Sequence, residues 1–388
     1  MAFDRIGRIE SRMDSRELFS KIELAEVPLS KLFSTFQLRD ITLRNRIAVA
    51  PMCQYSSDDG FPSDWHLVHL GSRAVGGAGL VIAEATAVAP EGRISPGDAG
   101  IYHDEHVAAY APIADFIRRQ GAVPGIQLAH AGRKASASRP WEGDTHLDAA
   151  GGGWEPIAPS AVAFGGHLPR VPKEMTIAEI NRVQANFVAA AQRALAAGFQ
   201  WLELHFAHGY LAHEFYSPLS NFRTDLYGGS FENRTRFLRE TLQAVRSVWP
   251  ERYPLTARLS VTDWTAGGVT LEESIELTRL LKSDGLALLD VSHGFVVPDI
   301  SGIPWGPGFM VPATARIRRE AEIPVACGWM ITEATQAESI IGEESADLVM
   351  LAREFLRDPY WPYHAAKALG IENPGNVLPV QYARAVGS

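Results

Sequence analysis

Residues 176–210 read TIAEINRVQANFVAAAQRALAAGFQWLELHFAHGY, and this stretch decides the fold. Thr176 followed three residues later by Glu179 is a capping box, apolar positions recur at helical spacing, and Gly198 stands where a helix-ending glycine belongs. QWLELHF at 200–206 then reads as a short buried strand, so a capped helix passes directly into a strand that ends in histidine.

The same unit recurs along the chain. RIAVAP at 46–51, GLVIAEA at 79–85 and AVPGIQLA at 122–129 precede it; PLTARLSV at 254–261, ALLDVSH at 287–293, IPVACG at 323–328 and ADLVMLA at 346–352 follow. Runs of this kind, apolar on both faces, are the mark of buried parallel strands. Amphipathic stretches separate them, FENRTRFLRETLQAVRSVW at 231–249 and TLEESIELTRLLKSDG at 270–285 among them. Strict alternation implies right-handed crossovers in a parallel sheet. Eight such units with no second domain point to α/β architecture closed as a single (β/α)₈ TIM barrel over residues 31–388, after an N-terminal extension at 1–30. No GxGxxG follows any strand, which disfavours a dinucleotide-binding open sheet.

Composition sets the class. The 388 residues are 46% hydrophobic and 21% charged, with a formal net charge of −9, a globular balance that gives no basic face for a nucleic-acid partner. No apolar run has the ~20 residues of a membrane span. Two cysteines, Cys53 and Cys327, make no disulfide framework and favour a reducing, cytoplasmic setting. Arg5, Arg8, Arg12 and Arg16 recur at helical spacing, but Asp4, Glu10, Asp14 and Glu17 oppose a transit-peptide reading.

Barrel chemistry sits at the C-terminal strand ends. There the sequence places Pro51-Met52-Cys53-Gln54-Tyr55, Gln127, His205 with His208 and Tyr210, Arg258, Gly328-Trp329 and Ala352-Arg353. A buried guanidinium at Arg258 requires an anionic or electron-rich partner. His205 and His208 lack the HExxH pattern and a third ligand of suitable spacing, so they read as two donors to one oxygen and no metal is expected. Gly328 on strand seven and Arg353 on strand eight fall where barrels bind phosphate. With Gln127 as partner for an imide edge and Arg258 beside a reducible ring, the expected ligand is FMN.

The chain resembles the old yellow enzyme family, in the branch that includes xenobiotic reductase A and its thermophilic-like relatives. The segments that carry the resemblance are LRNRIAVAPMCQY at 43–55, EATAVAPEGRISPG at 84–97, GIQLAHAGRKAS at 125–136, HFAHGYLAHEFYSPLSNFRTDLYGGSFENRTRF at 205–237 and GIPWGP at 302–307. The resemblance implies an FMN ene-reductase driven by NAD(P)H that reduces the activated C=C bond of α,β-unsaturated carbonyl compounds, with nitro compounds as further candidates. It further implies that Ala50, Pro51, Met52, Cys53, Ala85 and Gln127 hold the flavin ring, that Arg258 lies by its pyrimidine side, and that Gly328, Ala352 and Arg353 bind its phosphate. His205 and His208 would donate to the substrate carbonyl, Tyr210 would supply the proton, and Tyr55 and Trp329 would line the substrate face. Cys53 would tune the flavin and attack nothing. Relatives with an iron–sulfur cluster need more cysteines than two. The tail PVQYARAVGS has Ala385 where the branch carries a tryptophan, while Arg384 matches relatives whose C-terminal arginine enters a neighbour's site. A homodimer or homotetramer is therefore expected.

Overall fold

The computed structural model describes residues 30–386; the extension expected at 1–30 falls almost wholly outside them. Eight parallel strands close into a barrel: β1 (Ile47–Val49), β2 (Leu80–Ala87), β3 (Val123–Ala129), β4 (Trp201–Phe206), β5 (Leu255–Ser260), β6 (Leu288–Ser292), β7 (Val325–Cys327) and β8 (Leu348–Leu351), with β8 hydrogen-bonded back to β1. Seven lie within the apolar runs, and β2 continues two residues past the end of its run at Ala85. The surrounding helices are α1 (Asp64–Val75), α2 (Glu105–Arg119), α3 (Ile177–Ala196), α4 (Phe231–Arg246), α5 (Leu271–Ser283), α6 (Val311–Ala321), α7 (Ala334–Gly342) and α8 (Trp361–Ala368). Thr176 caps α3 by accepting the Glu179 N–H, and Gly198 follows it at φ +93°, a left-handed turn that glycine adopts without steric cost.

The strands are not apolar on both faces. On β4, Leu202, Leu204 and Phe206 face the helices and join the main core. Trp201, Glu203 and His205 alternate with them and face the barrel axis. Trp201 belongs to a second apolar cluster with Ala48, Leu80, Ile82, Leu288, Ala326, Leu348 and Met350. That cluster also takes in Phe36, Ile41 and Leu43 of an antiparallel hairpin, Phe36–Leu38 with Ile41–Leu43, which closes the barrel floor. Strand register stacks a polar layer above this apolar one: Gln127 pairs with Glu203, His205 with Arg258, and Arg258 with Asp290. The axis is thus dry at the N-terminal end and chemically equipped at the C-terminal end, as the barrel rule requires.

Candidate active site

The cleft at the C-terminal strand ends is lined by Ala50, Arg258, Trp329, Met350, Ala352 and Arg353, among others. Residues from β1, β5, β7 and β8 thus meet in one depression, of about 280 Å³, at the small end of the ~300–1,000 Å³ of small-molecule and cofactor clefts. Arg258 is buried and Arg353 stands exposed at the rim. A Cβ at Gly328 would come 3.1 Å from the Met350 carbonyl oxygen, so a side chain there would crowd the junction of β7 and β8.

Beneath the cleft, Arg258 Nε lies 3.0 Å from Asp290 Oδ2, and Gln127 Nε2 donates to Glu203 Oε1 at 2.8 Å. Burial pushes both carboxyls up, against the pull of Arg258. Asp290 is therefore the partner that the sequence demanded for a buried guanidinium but did not name. Glu203 and Asp290 were legible only through strand parity, each standing two residues from another inward-facing position.

The histidines lie at the end of β4. Their rings stand 5.0 Å apart edge-on, and the Tyr210 ring is 5.0 Å from that of His205. Burial, reinforced by Arg258, drives both imidazoles well below their ordinary range, so each is neutral near pH 7 and keeps one N–H. His205 Nδ1 is buried without a partner among the described residues, an orphan that a ligand atom would satisfy. His208 Nε2 lies 2.6 Å from Ser292 Oγ, which also accepts the Trp329 Nε1–H at 2.9 Å. Ser292, at the end of β6, is a site residue that sequence reading missed. Tyr210 is raised well above the ordinary tyrosine range by burial and keeps its phenolic proton.

Backbone strain gathers at this mouth. Tyr55, His208, Phe295, Trp329 and Met330 all adopt positive φ, between 52° and 70°, a conformation that costs non-glycine residues of order 1–3 kcal/mol each and collects at functional sites. The Trp329 and Phe295 rings stack 5.5 Å apart. Lys134 Nζ donates to the carbonyls of His208 and Phe295 at 2.8 and 2.6 Å, pinning both turns; burial pushes this amine down to about 7. Lys134 was also missed, although it lies in a quoted segment.

The other expected residues are placed as follows. Pro51, Met52, Cys53 and Tyr55 form a half-buried rim after β1. Burial, with Asp98 and Glu84 adding to it, pushes the Cys53 thiol well up, against a nucleophilic thiolate. The Tyr55 carbonyl accepts from Arg139 Nε at 3.0 Å. Ala85 lines a small separate cavity with Asp98 and Tyr210. Arg384 sits exposed on a short helix, Val380–Val386, and does not line the cleft of its own chain.

A cofactor with a flat ring and an anionic tail fits this set: Arg258 and Arg353 share one cleft, which the small side chains of Ala50 and Ala352 leave open. Comparison with known proteins agrees. Residues 31–372 match the NADH:flavin oxidoreductase / NADH oxidase family. The chain is 47% identical over 355 residues to an NADPH dehydrogenase of Geobacillus sp. (strain WCH70), covering 91% of this chain and 98% of that one. Its structure is similar to morphinone reductase (TM-score 0.74, 28% identity, 87% of this chain and 90% of that one). It is equally similar to the old yellow enzyme homologue from Zymomonas mobilis (TM-score 0.73, 27% identity, 87% and 93%). A 2-naphthoyl-CoA reductase matches at TM-score 0.80 and 26% identity over 90% of this chain, which spans 53% of that longer one. The chain belongs to the NADH:flavin oxidoreductase / NADH oxidase family, and within it to the old yellow enzymes, NAD(P)H-dependent oxidoreductases that carry FMN.

Proposed function

We propose that this oxidoreductase reduces the activated C=C bond of α,β-unsaturated carbonyl compounds. The observation that carries the reading is the pair of neutral imidazoles beside Tyr210, with His205 Nδ1 buried and unpartnered. Two such donors suit an oxygen that gains negative charge as the reaction proceeds, since fixed donors in a dry site stabilise developing charge strongly. Tyr210, whose burial keeps its phenolic proton, would deliver the α-carbon proton as a general acid. FMN, when bound, supplies the hydride. Arg258 would neutralise charge on its ring, Ala50, Pro51, Met52, Cys53, Ala85 and Gln127 would frame that ring, and Gly328, Ala352 and Arg353 would hold the phosphate. Tyr55 and Trp329 would bound the substrate. That one solved relative is named a morphinone reductase supports the substrate class.

The test is anaerobic turnover of 2-cyclohexen-1-one with NADPH. The reading expects cyclohexanone equal to the NADPH consumed; NADPH oxidation without saturated product, in this and a panel of maleimides and nitroalkenes, would overturn it.

No described helix is long and apolar enough to cross a membrane, and we place the enzyme in the cytoplasm. The exposed Arg384 is proposed to reach a neighbouring subunit's cleft in a homodimer or dimer of dimers. Truncation after Pro379 should then change both sedimentation and the Michaelis constant; unchanged values for both would leave the tail without that role.

A further inference from the structure

The turn that carries His208 and Tyr210 is held from behind. His208 and Gly209 are consecutive left-handed residues, at φ +61° and +68°. A Cβ at Gly209 would lie 2.1 Å from the Phe295 carbonyl oxygen, so glycine is obligatory there. The His208 N–H is taken by Ser260 Oγ at 3.0 Å, and the Tyr210 N–H by the Ala207 carbonyl at 3.3 Å. The Gly209 N–H is accepted by Nδ1 of His213 at 2.9 Å. The other ring nitrogen, Nε2, lies 2.9 Å from Asp263 Oδ1, both side chains being fully buried; the contact is close but not a well-aligned hydrogen bond, and neither atom has a hydrogen-bond partner among the described residues.

This arrangement admits one tautomer. An Nδ1 that accepts an N–H carries no proton of its own, so the imidazole proton is on Nε2, facing Asp263. The remaining Asp263 oxygen is committed, accepting the Ser217 hydroxyl at 2.7 Å and the Val269 N–H at 2.8 Å. Both carboxylate oxygens must therefore be acceptors.

We propose that Asp263 and His213 are a positioning pair, in which Asp263 fixes the His213 tautomer that grips Gly209 and thereby holds the turn that sets His208 and Tyr210 beside His205. The role assigned to His208 and Tyr210 rests on the proposed function above, whereas the tautomer does not. Asp263→Asn keeps the shape but offers one oxygen; Val269 claims it, the new amide N–H faces His213, and the ring proton is driven to Nδ1, against the Gly209 N–H. An orienting aspartate replaced by asparagine loses tautomer control in this way.

The test uses the FMN-loaded enzyme and two readouts. ¹⁵N NMR of histidine-labelled protein should show His213 Nδ1 unprotonated in the wild type; a protonated Nδ1 there would overturn the proposal with no variant made. Stopped-flow reoxidation of the reduced enzyme by 2-cyclohexen-1-one should slow by about 10–100-fold in Asp263→Asn, as for a misplaced reacting group. His213→Asn keeps an acceptor near the Nδ1 position and has no tautomer to lose, so adding Asp263→Asn to it should cost under about 2-fold. Equal losses in both backgrounds would show that Asp263 only supports the core. If His208→Ala leaves reoxidation unchanged while the NMR result stands, the proposed function fails and the positioning pair survives.

Discussion

Ser292 Oγ lies 2.6 Å from Nε2 of His208. The same oxygen accepts the Trp329 Nε1–H, so Ser292 Oγ holds the orientation of both rings, whichever of His208 Nε2 and Ser292 Oγ donates in their shared contact. Ser292→Ala removes that hold on both rings. Alkene-dependent reoxidation should fall by about 5–30-fold, the worth of one to two neutral hydrogen bonds. FMN content should stay unchanged, and stopped-flow absorbance reads both.

Arg353 stands at the cleft rim and Arg258 within it. Arg353→Ala should weaken FMN binding by on the order of 1.5–3 kcal/mol, the loss of a charge-assisted contact to phosphate. Fluorescence titration of the stripped protein measures it. An affinity within 2-fold of wild type would remove Arg353 from the phosphate site.

The raised Cys53 thiol makes a further prediction. Cys53→Ala should keep turnover of the same order while moving the flavin midpoint potential, read by dye-coupled reductive titration. Wild-type Cys53 should resist alkylation at pH 7, since little thiolate is present. Abolished turnover with FMN still bound would make it a reacting group instead.

Lys134 gives the pH dependence. Its amine sits at about 7 because burial disfavours the charged form, against roughly 10.4 in an unfolded chain. Between those values the unfolded chain holds a proton that the folded protein lacks, so this group makes stability rise with pH from 7 to about 10. The slope approaches about 1.4 kcal/mol per pH unit. Below pH 7 the full desolvation cost is present. Lys134→Met should remove the increment, seen as the difference between wild-type and variant denaturation midpoints across that range. Parallel profiles would contradict it.

Much of this was legible in the chain because barrels write their strands plainly. All eight apolar runs became strands, and of the polar residues just after them Trp329 and Arg353 line one cleft, while the His208 ring packs 5.8 Å from that of Trp329. What stayed hidden depends on tertiary pairing. Glu203 and Asp290 sit inside runs whose hydrophobic character comes from the helix-facing half, so only the inward parity of β4 and β6 gives them away. The Phe36–Leu43 hairpin is too short to show a period. The contact of His213 with Asp263 spans fifty residues of sequence and follows from β4 and β5 being neighbours in the barrel. Cys327, grouped with a strand end, faces outward and takes the Thr314 hydroxyl at 3.4 Å, because β7 alternates and Ala326 holds the inward position.

The central claim is that His205 and His208 stabilise charge that forms only during alkene reduction. The direct measurement is the separate half-reactions of His205→Ala and His208→Ala by anaerobic stopped flow. Loss of one such donor costs about 10²–10³ in the step where it acts, so reoxidation by 2-cyclohexen-1-one should slow by that factor while flavin reduction by NADPH stays within about 10-fold. Reoxidation at the wild-type rate in both variants would contradict the account.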